Sequence, residues 1–305
     1  MRFRKPLLVG LLALGYLANL ALLSSLLGLG QFGYDVYAYW AVDLDRLYAD
    51  TPQALAGFGA FHYAPAVAQV LALFHVVPWW LFLWGWTALL IATLVWLGGR
   101  WWFVLLALPP VVLELYAGNI NLLLAAAVAL GFRYPAAWAF VLLTKITPGV
   151  GVLWFAVRRE WRNLAIALGA TAGIVAVSFV LAPGLWGQWF AALTDLQGQG
   201  EGEIPIPLLL RLPVAAMIVA WGALTDRPWA VPVAATVATP VLWIGWFAWP
   251  VVLLGALPLL REGRVQDRRR RVTSESHGED AGADSADESL PTHSQPIRDP
   301  SGLRT

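Results

Sequence analysis

The sequence predicts an all-α integral membrane protein with about eight to ten membrane-spanning helices, some of them broken or half-length, and two outer loops. Three observations predict this class. Hydrophobic residues make up 59% of the chain and charged residues only 13%, whereas soluble domains are about one quarter charged. The mean hydropathy is +0.65. Many of the 18 tryptophans lie near the ends of apolar segments, as aromatic belts at bilayer interfaces do.

The first apolar segment runs from Leu7 to Leu29 and is long enough to cross the hydrocarbon core as a retained span. Arg2, Arg4 and Lys5 precede it. By the positive-inside rule these cations place the N-terminus in the cytoplasm. The polar segment 30–63 is therefore expected to be the first outer loop.

Prolines and glycines divide the next part of the chain. Pro78 interrupts the apolar run 64–97, which predicts a half-length helix followed by a full one from Trp79. The Pro109-Pro110 pair predicts another break, and 118–121 reads as a polar turn.

The second half of the chain predicts further spans over 122–132, 135–157 and 164–181. The basic segment 158–162 is expected inside, and the Gly-rich segment 183–207 is expected to be the second outer loop.

Three last apolar segments, 208–224, 229–239 and 241–260, complete a polytopic membrane domain over residues 1–260. The segment 261–305 is rich in charged residues, Ser and Pro. Such a composition does not bury a core, so we expect a disordered cytoplasmic tail.

Composition also excludes several kinds of function. The chain has no cysteine, which excludes disulfides, thiol catalysis and cysteine-based metal sites. The net charge is +1, and no basic patch interleaved with aromatics suggests a nucleic-acid partner. No cofactor is predicted.

Two cations within apolar segments are candidates for binding an anion. Lys145 precedes Pro148, where the proline opens the local backbone, so an ammonium there suits a phosphate. Arg211 follows the second outer loop and is in reach of an anionic head group. The alternative for both residues is a side chain that snorkels to the interface.

Two asparagines and one acid near the polar turn are also unusual in a membrane segment. Asn119 and Asn121 suit hydrogen bonding to sugar hydroxyls, or equally capping and bridging of helices. Glu114 is either interfacial or paired with Arg100 or Lys145.

The first outer loop carries the candidate general base. Asp35 follows the first span among aromatic residues, a setting that suits a base accepting a proton from a sugar hydroxyl. Partial removal from water would raise its pKa toward working pH. Asp43 and Asp45 have the spacing of a weak metal-binding pair compatible with a divalent cation, although a solvated helix surface produces the same pattern.

Several short motifs resemble those of one family. Asp35-Val36-Tyr37-x-Tyr39 followed by Phe61-His62-Tyr63-Ala64-Pro65 is similar to D-x-x-x-Y and F-x-Y-P-P. Gly118-Asn119-Ile120-Asn121 is similar to G-Q-x-N. Lys145-Ile146-Thr147-Pro148 and the basic segment after it resemble K-x-x-P and its basic loop. Thr239-Pro240-Val241-Leu242-Trp243 resembles S-P-x-x-W. In this order they resemble the polyprenyl-phosphate-mannose-dependent mannosyltransferases, glycosyltransferase family 87 of the GT-C type.

The resemblance implies a GT-C-like bundle in the plasma membrane that transfers a hexose with inversion on the outer face. The donor would be a polyprenyl-phosphate-linked sugar and the acceptor a lipid or glycan. Asp35 would be the base and Lys145 would bind the donor phosphate, with Arg211 beside it. The expected substrate-binding residues are Tyr37, His62, Tyr63, Asn119 and Asn121. Asn119 stands where the family has Gln, and Ala64 stands where it has Pro.

Two other functions predict similar patterns. A transporter or flippase of lipid-linked sugars also has broken helices and a buried lysine. A non-catalytic membrane partner of a glycosyltransferase would retain part of the motifs.

Overall fold

A computed structural model describes the side-chain and backbone arrangement of most of the apolar chain. Contacts divide the protein into two units, Met1–Leu260 and Arg261–Thr305. The predicted tail, 261–305, coincides with the second unit and lies almost entirely outside the described residues. The structure describes residues 4–28, 30–48, 61–197, 206–240 and 249–263.

All regular structure in these described ranges is helical, which confirms the predicted all-α membrane protein with broken helices. The first four α-helices are α1 (Arg4–Leu27), α2 (Tyr34–Trp40), α3 (Pro65–Ala72) and α4 (Trp79–Gly98). Helix α3 continues as a 3₁₀ turn over Leu73–Val76, and Pro78 then separates it from α4. Pro78 lacks an amide hydrogen, so it stops the first helix and forms the N-cap of the second.

The middle of the chain consists of shorter helices. These are α5 (Trp102–Leu105), α6 (Pro109–Ala117), α7 (Asn121–Gly131), α8 (Trp138–Thr144) and α9 (Leu153–Val157). Helices α6 and α7 meet at an angle of 108° across the predicted polar turn. The predicted span 135–157 is broken into α8, a 3₁₀ segment over Thr147–Val152, and α9.

The remaining helices are α10 (Trp161–Leu181), α11 (Pro183–Gln197), α12 (Leu208–Leu224) and α13 (Ala230–Val237). A 3₁₀ segment, Trp249–Gly255, precedes a last helical stretch over 256–263. Residues 241–248, which contain most of the Thr239–Trp243 motif, lie outside the described residues.

Three helices in the described chain are long and apolar enough to cross a membrane: Pro6–Leu27, Trp79–Leu105 and Trp161–Leu181. The bent pair α6–α7 adds a fourth if it acts as one span. Further predicted spans are shorter apolar helices; the break at Lys145 divides 135–157, and the break at Pro78 ends the first of them, while Leu208–Leu224 keeps its predicted length. These are Pro65–Val76, Pro135–Thr144, Thr147–Val157 and Leu208–Leu224.

The predicted second outer loop, 183–207, begins with helix α11 rather than with irregular chain. The two glycines of this helix, Gly184 and Gly187, meet no side chain. Its apolar residues Leu185, Trp186 and Trp189 are buried, and their spacing of one and three residues puts them on one helical face. A short amphipathic helix therefore forms in a segment whose composition suggests a loop.

Candidate functional site

Helix α2 carries Asp35 and is held against the bend between α6 and α7. Gly33 precedes the helix with a left-handed φ of 72° and donates its N–H to the carbonyl of Tyr116 at 2.8 Å. Val36 on the next turn faces Gly118, where a Cβ would lie 2.0 Å from its Cγ2. The absence of a side chain at Gly118 thus allows α2 to approach the bend closely.

Asn119 connects the bend to Asp35. Its Nδ2 donates a hydrogen bond to Oδ2 of Asp35 at 2.6 Å, and its Oδ1 accepts one from the N–H of Ile120 at 2.8 Å. Oδ1 of Asp35 receives no hydrogen bond from the described part of the chain. The half-buried carboxylate therefore keeps one oxygen available.

The surroundings of Asp35 change its acidity. Burial raises the pKa of Asp35 to about 6 from its ordinary value of 3.8, while the Asn119 hydrogen bond and then the charge of Lys145 act in the opposite direction. A carboxylate with this pKa is ionised near neutrality and is still basic enough to accept a proton.

Lys145 reaches the same bend from the end of helix α8. It follows α8 in an extended conformation, φ −135° and ψ 93°, and so interrupts the predicted span 135–157. Its Nζ donates to Oδ1 of Asn121 at 2.6 Å. This is the one hydrogen bond that Nζ makes with the described residues, so two of the three ammonium hydrogens have no partner among them.

Glu114 completes this polar group, and its part in the site was not predicted. The side chain is fully buried, at 0% exposure. Oε2 accepts from Nδ2 of Asn121 at 2.9 Å, and Oε1 accepts from the N–H of Leu122 at 3.0 Å. Of the two predicted partners, Lys145 is linked to Glu114 through Asn121, whereas Arg100 lies over the ring of Trp101.

The acid in an apolar segment was the sequence signal for Glu114. Its spacing of seven residues from Asn121 exceeds one turn of a helix, so only the 108° bend brings the two side chains together. The Gly118–Asn121 motif therefore predicted a role for Asn121 but not for Glu114, the carboxylate that accepts a hydrogen bond from it.

Aromatic side chains lie on the segments around Asp35. Tyr37 is exposed and packs edge-on against Trp79, with ring centroids 5.5 Å apart. Tyr63 is buried, and its hydroxyl is 2.9 Å from that of Tyr39. The carbonyl of Tyr63 accepts from the hydroxyl of Tyr48 at 2.6 Å.

The Phe61–Pro65 motif is attached to the chain just before Lys145. The N–H of Ala64 donates to the carbonyl of Leu143 at 3.0 Å. The side chain of His62 is exposed, and its carbonyl accepts from Nε1 of Trp189 at 3.1 Å. These contacts bring the predicted motif and helix α11 to the end of the protein that carries the bend.

Arg211 is 8% exposed and is surrounded by main-chain carbonyls. Its guanidinium donates to four of them at distances of 2.7–3.0 Å, namely those of Ile206, Val237, Thr239 and Pro240. Thr147 donates its hydroxyl to the carbonyl of Ala238 in the same segment. Arg211 thus supports the chain that contacts the loop after Lys145, and four of its five N–H donors are engaged.

The weak metal candidates form a local turn. Oδ1 of Asp43 accepts from the N–H of Asp45 at 3.1 Å. Among the residues that the structure describes, no three His, Cys, Asp or Glu side chains group together as metal ligands would.

Arginines gather at the helix ends remote from Asp35. Helix α4 begins with Trp79 beside Tyr37 and ends near Arg100, about 30 Å further along its axis. Helix α10 ends near α3, where Gln69 donates to the carbonyl of Ser178, and begins beside Arg162. Arg158 at this remote end bonds Glu160 and Asp226, each at 2.9 Å.

The model of glycosyltransferase family 87 matches residues 61–262, more than half of the chain. Glu114, Asn119, Asn121, Lys145 and Arg211 fall within the matched range, and Asp35 precedes it. No curated protein and no solved structure matches the chain significantly. With its apolar helices and this match, the chain belongs to glycosyltransferase family 87 and is a membrane glycosyltransferase.

Proposed function

We propose that the protein transfers a hexose, mannose by its resemblance, from a polyprenyl-phosphate-linked sugar to a hydroxyl of a lipid- or glycan-linked acceptor. The observation that carries the proposal is the attachment of an acid and an ammonium to one short turn. Asp35 is bonded to Asn119, and Lys145 is bonded to Asn121.

The acid accounts for activation of the acceptor. Oδ1 of Asp35 takes the proton of the acceptor hydroxyl as the hydroxyl oxygen attacks the anomeric carbon of the donor sugar. Such general-base catalysis contributes about 10²–10⁴-fold to a rate. The pKa of Asp35, raised to about 6, keeps the carboxylate ionised at neutral pH.

The ammonium accounts for departure of the lipid phosphate. The bond between the anomeric carbon and the phosphate oxygen breaks with its electron pair on that oxygen, which releases a polyprenyl monophosphate. Lys145 stabilises the added negative charge through its two remaining N–H donors. Attack from the face opposite the phosphate inverts the configuration at the anomeric carbon.

The remaining predicted residues have supporting roles in this proposal. Tyr37, His62 and Tyr63 lie on the segments that approach the acid, and aromatic rings and hydroxyls of this kind bind sugar faces and edges. Asn119 and Asn121 orient the base and the ammonium. Arg211 acts near the donor phosphate by holding the chain that contacts Thr147.

The proposed site faces the outside of the plasma membrane, with both termini in the cytoplasm. The arginines at the remote helix ends support this orientation, because cytoplasmic loops carry an excess of Lys and Arg.

Transfer assays in proteoliposomes test the proposal. The protein is given a radiolabelled polyprenyl-phosphate mannose and a membrane extract as acceptor. We expect labelled glycolipid with the wild type and a loss of at least about 10²-fold with Asp35→Asn. Asp226→Asn is the matched control, because Asp226 lies at the remote end with its side chain 78% exposed and its φ of 55° suits asparagine.

Two results contradict the proposal. Wild-type rates in Asp35→Asn would show that Asp35 is not the general base. Movement of intact donor across the bilayer without sugar transfer would instead indicate a transporter.

A further inference from the structure

Glu114 is a buried acid that the proposed chemistry does not use directly. It lies on α6, four residues before the bend, and has no exposed surface. Burial of a carboxylate in an apolar bundle is costly unless its oxygens are hydrogen-bonded. Both oxygens have a donor: the N–H of Leu122 and Nδ2 of Asn121.

The bond from Asn121 to Glu114 decides which way the Asn121 amide points. Nδ2 of Asn121 is directed to Glu114, so Oδ1 is directed away from it and accepts from Nζ of Lys145. A reversed amide would bring Nδ2 against the ammonium, donor against donor. The carboxylate therefore acts on Lys145 through one intervening side chain.

We infer that Glu114 is a positioning residue, which acts through Asn121 to hold the Lys145 ammonium where it meets the phosphate of the lipid-linked donor. This inference rests on the proposed function for the identity of the donor. Glu114 itself touches no substrate, because it is fully enclosed.

The chemistry of the three side chains predicts a specific effect of Glu114→Gln. Leu122 N–H and Asn121 Nδ2 are both donors and need two acceptors, which a carboxylate has and a carboxamide lacks. The new glutamine turns its NH₂ group toward one of them. If Asn121 reverses to relieve this contact, its own NH₂ group faces Lys145.

A second substitution restores the arrangement with reversed polarity. In Glu114→Gln with Asn121→Asp, the glutamine oxygen accepts from Leu122 and its NH₂ group donates to the new carboxylate. The second oxygen of that carboxylate accepts from Lys145. All three hydrogen bonds and the net charge are kept, so a rescue by this pair reports the arrangement rather than either side chain alone.

Binding of polyprenyl monophosphate to the purified protein is the first measurement. We expect Glu114→Gln to weaken the Kd about tenfold or more, which corresponds to a disturbed charged hydrogen bond. The double variant should return to within about threefold of wild type. An unchanged Kd in Glu114→Gln overturns the inference, as does a double variant no better than the single one.

The chemical reactivity of Lys145 gives a second measurement that needs no donor. The chain has two lysines, Lys5 and Lys145, so the labelling of each by an amine reagent is resolved by mass spectrometry. In the monodisperse fraction of Glu114→Gln we expect Lys145 to label several-fold faster, because its acceptor is displaced, while Lys5 is unchanged as the reference. The double variant should label at the wild-type rate; equal rates in all three proteins overturn the inference.

The two proposals fail separately. A wild type that binds the phosphate and transfers no sugar contradicts the proposed function and leaves the binding test of Glu114 intact. A wild type that does not bind polyprenyl monophosphate contradicts the donor assignment, and the labelling of Lys145 then decides the positioning role.

Discussion

Asn119 donates a hydrogen bond of 2.6 Å to the Asp35 carboxylate from a position 84 residues further along the chain. The bond joins helix α2 to the bend between two apolar helices. It also favours the ionised carboxylate and so opposes the effect of burial on the pKa. The relationship gives the proposed base both a position and an acidity that a change at Asn119 should alter.

The acid limb of the pH–rate profile should report the pKa of Asp35. The base acts as a carboxylate, so kcat/KM should be half of its plateau near pH 6, level off about one pH unit above that, and fall about tenfold per pH unit well below it. Asn119→Ala removes a hydrogen bond that lowers the pKa, so the midpoint should move to higher pH. The measurement is the initial rate of sugar transfer between about pH 4.5 and 8.5.

Asn163→Ala is the matched control for this profile. Asn163 donates to Glu160 at the remote end of the protein, so its replacement should leave the midpoint unchanged. A midpoint that stays in place or moves to lower pH in Asn119→Ala contradicts the assignment.

Close contact between Gly118 and Val36 should make Gly118→Ala destabilising. The left-handed φ of 76° costs an alanine about 1–2 kcal/mol, and its Cβ would lie 2.0 Å from Cγ2 of Val36. We expect a lower melting temperature in detergent and slower transfer, because α2 and Asp35 are displaced. Adding Val36→Ala to Gly118→Ala should recover the part of the lost melting temperature that is due to steric overlap. The part due to the left-handed φ should remain.

Gly85→Ala provides the comparison within a helix. Gly85 has no neighbour within 4 Å of an added Cβ, and alanine stabilises a helix interior by about 0.5–1 kcal/mol relative to glycine. Equal melting temperatures for Gly118→Ala and the wild type would show that α2 does not lie against the bend.

Proline and glycine patterns predicted the helix boundaries that depend on local chemistry. The start of α4 after Pro78 and the start of α6 at Pro109 follow from prolines, and the turn before Asn121 begins at Gly118, whose left-handed φ of 76° ends α6. Helix α12 has the predicted bounds, Leu208–Leu224. These features are encoded within a few residues.

Features that depend on contacts between distant segments were not predictable in the same way. The break at Lys145 places its side chain beside Asn121, and the order of residues alone does not indicate that contact. Glu114 was expected to be interfacial or paired with Arg100 or Lys145, whereas its hydrogen-bond donors, Asn121 and the N–H of Leu122, lie on the other side of the bend. Arg211 was predicted to bind phosphate, and three of the four carbonyls that accept from it belong to a segment 26–29 residues away.

Arg211→Lys should distinguish two roles of Arg211: hydrogen bonding to main-chain carbonyls and binding of the donor phosphate. A lysine has three donors on one atom and does not reach the carbonyls of Val237, Thr239 and Pro240 together. Loss of hydrogen bonds to a charged group costs about 1.5–3 kcal/mol. We therefore expect a clear fall in the melting temperature, measured in detergent, with little change in the Kd for polyprenyl monophosphate.

Arg162→Lys, at an exposed position of the remote end, is the control for the loss of a guanidinium. It should leave both quantities close to wild type. An unchanged melting temperature in Arg211→Lys with a Kd raised tenfold would instead assign the guanidinium to the donor phosphate.

The proposed orientation is testable with the chain as it is, because it has no cysteine. Single cysteines in place of Asp43 and Arg133, both exposed, mark the two ends of the helical bundle. A membrane-impermeant thiol reagent should label Asp43→Cys in intact cells and Arg133→Cys only after permeabilisation. The parent chain gives the background, and Arg162→Cys should repeat the result for Arg133→Cys. The opposite labelling pattern would put Asp35 on the cytoplasmic side, where a donor presented at the outer face does not reach it.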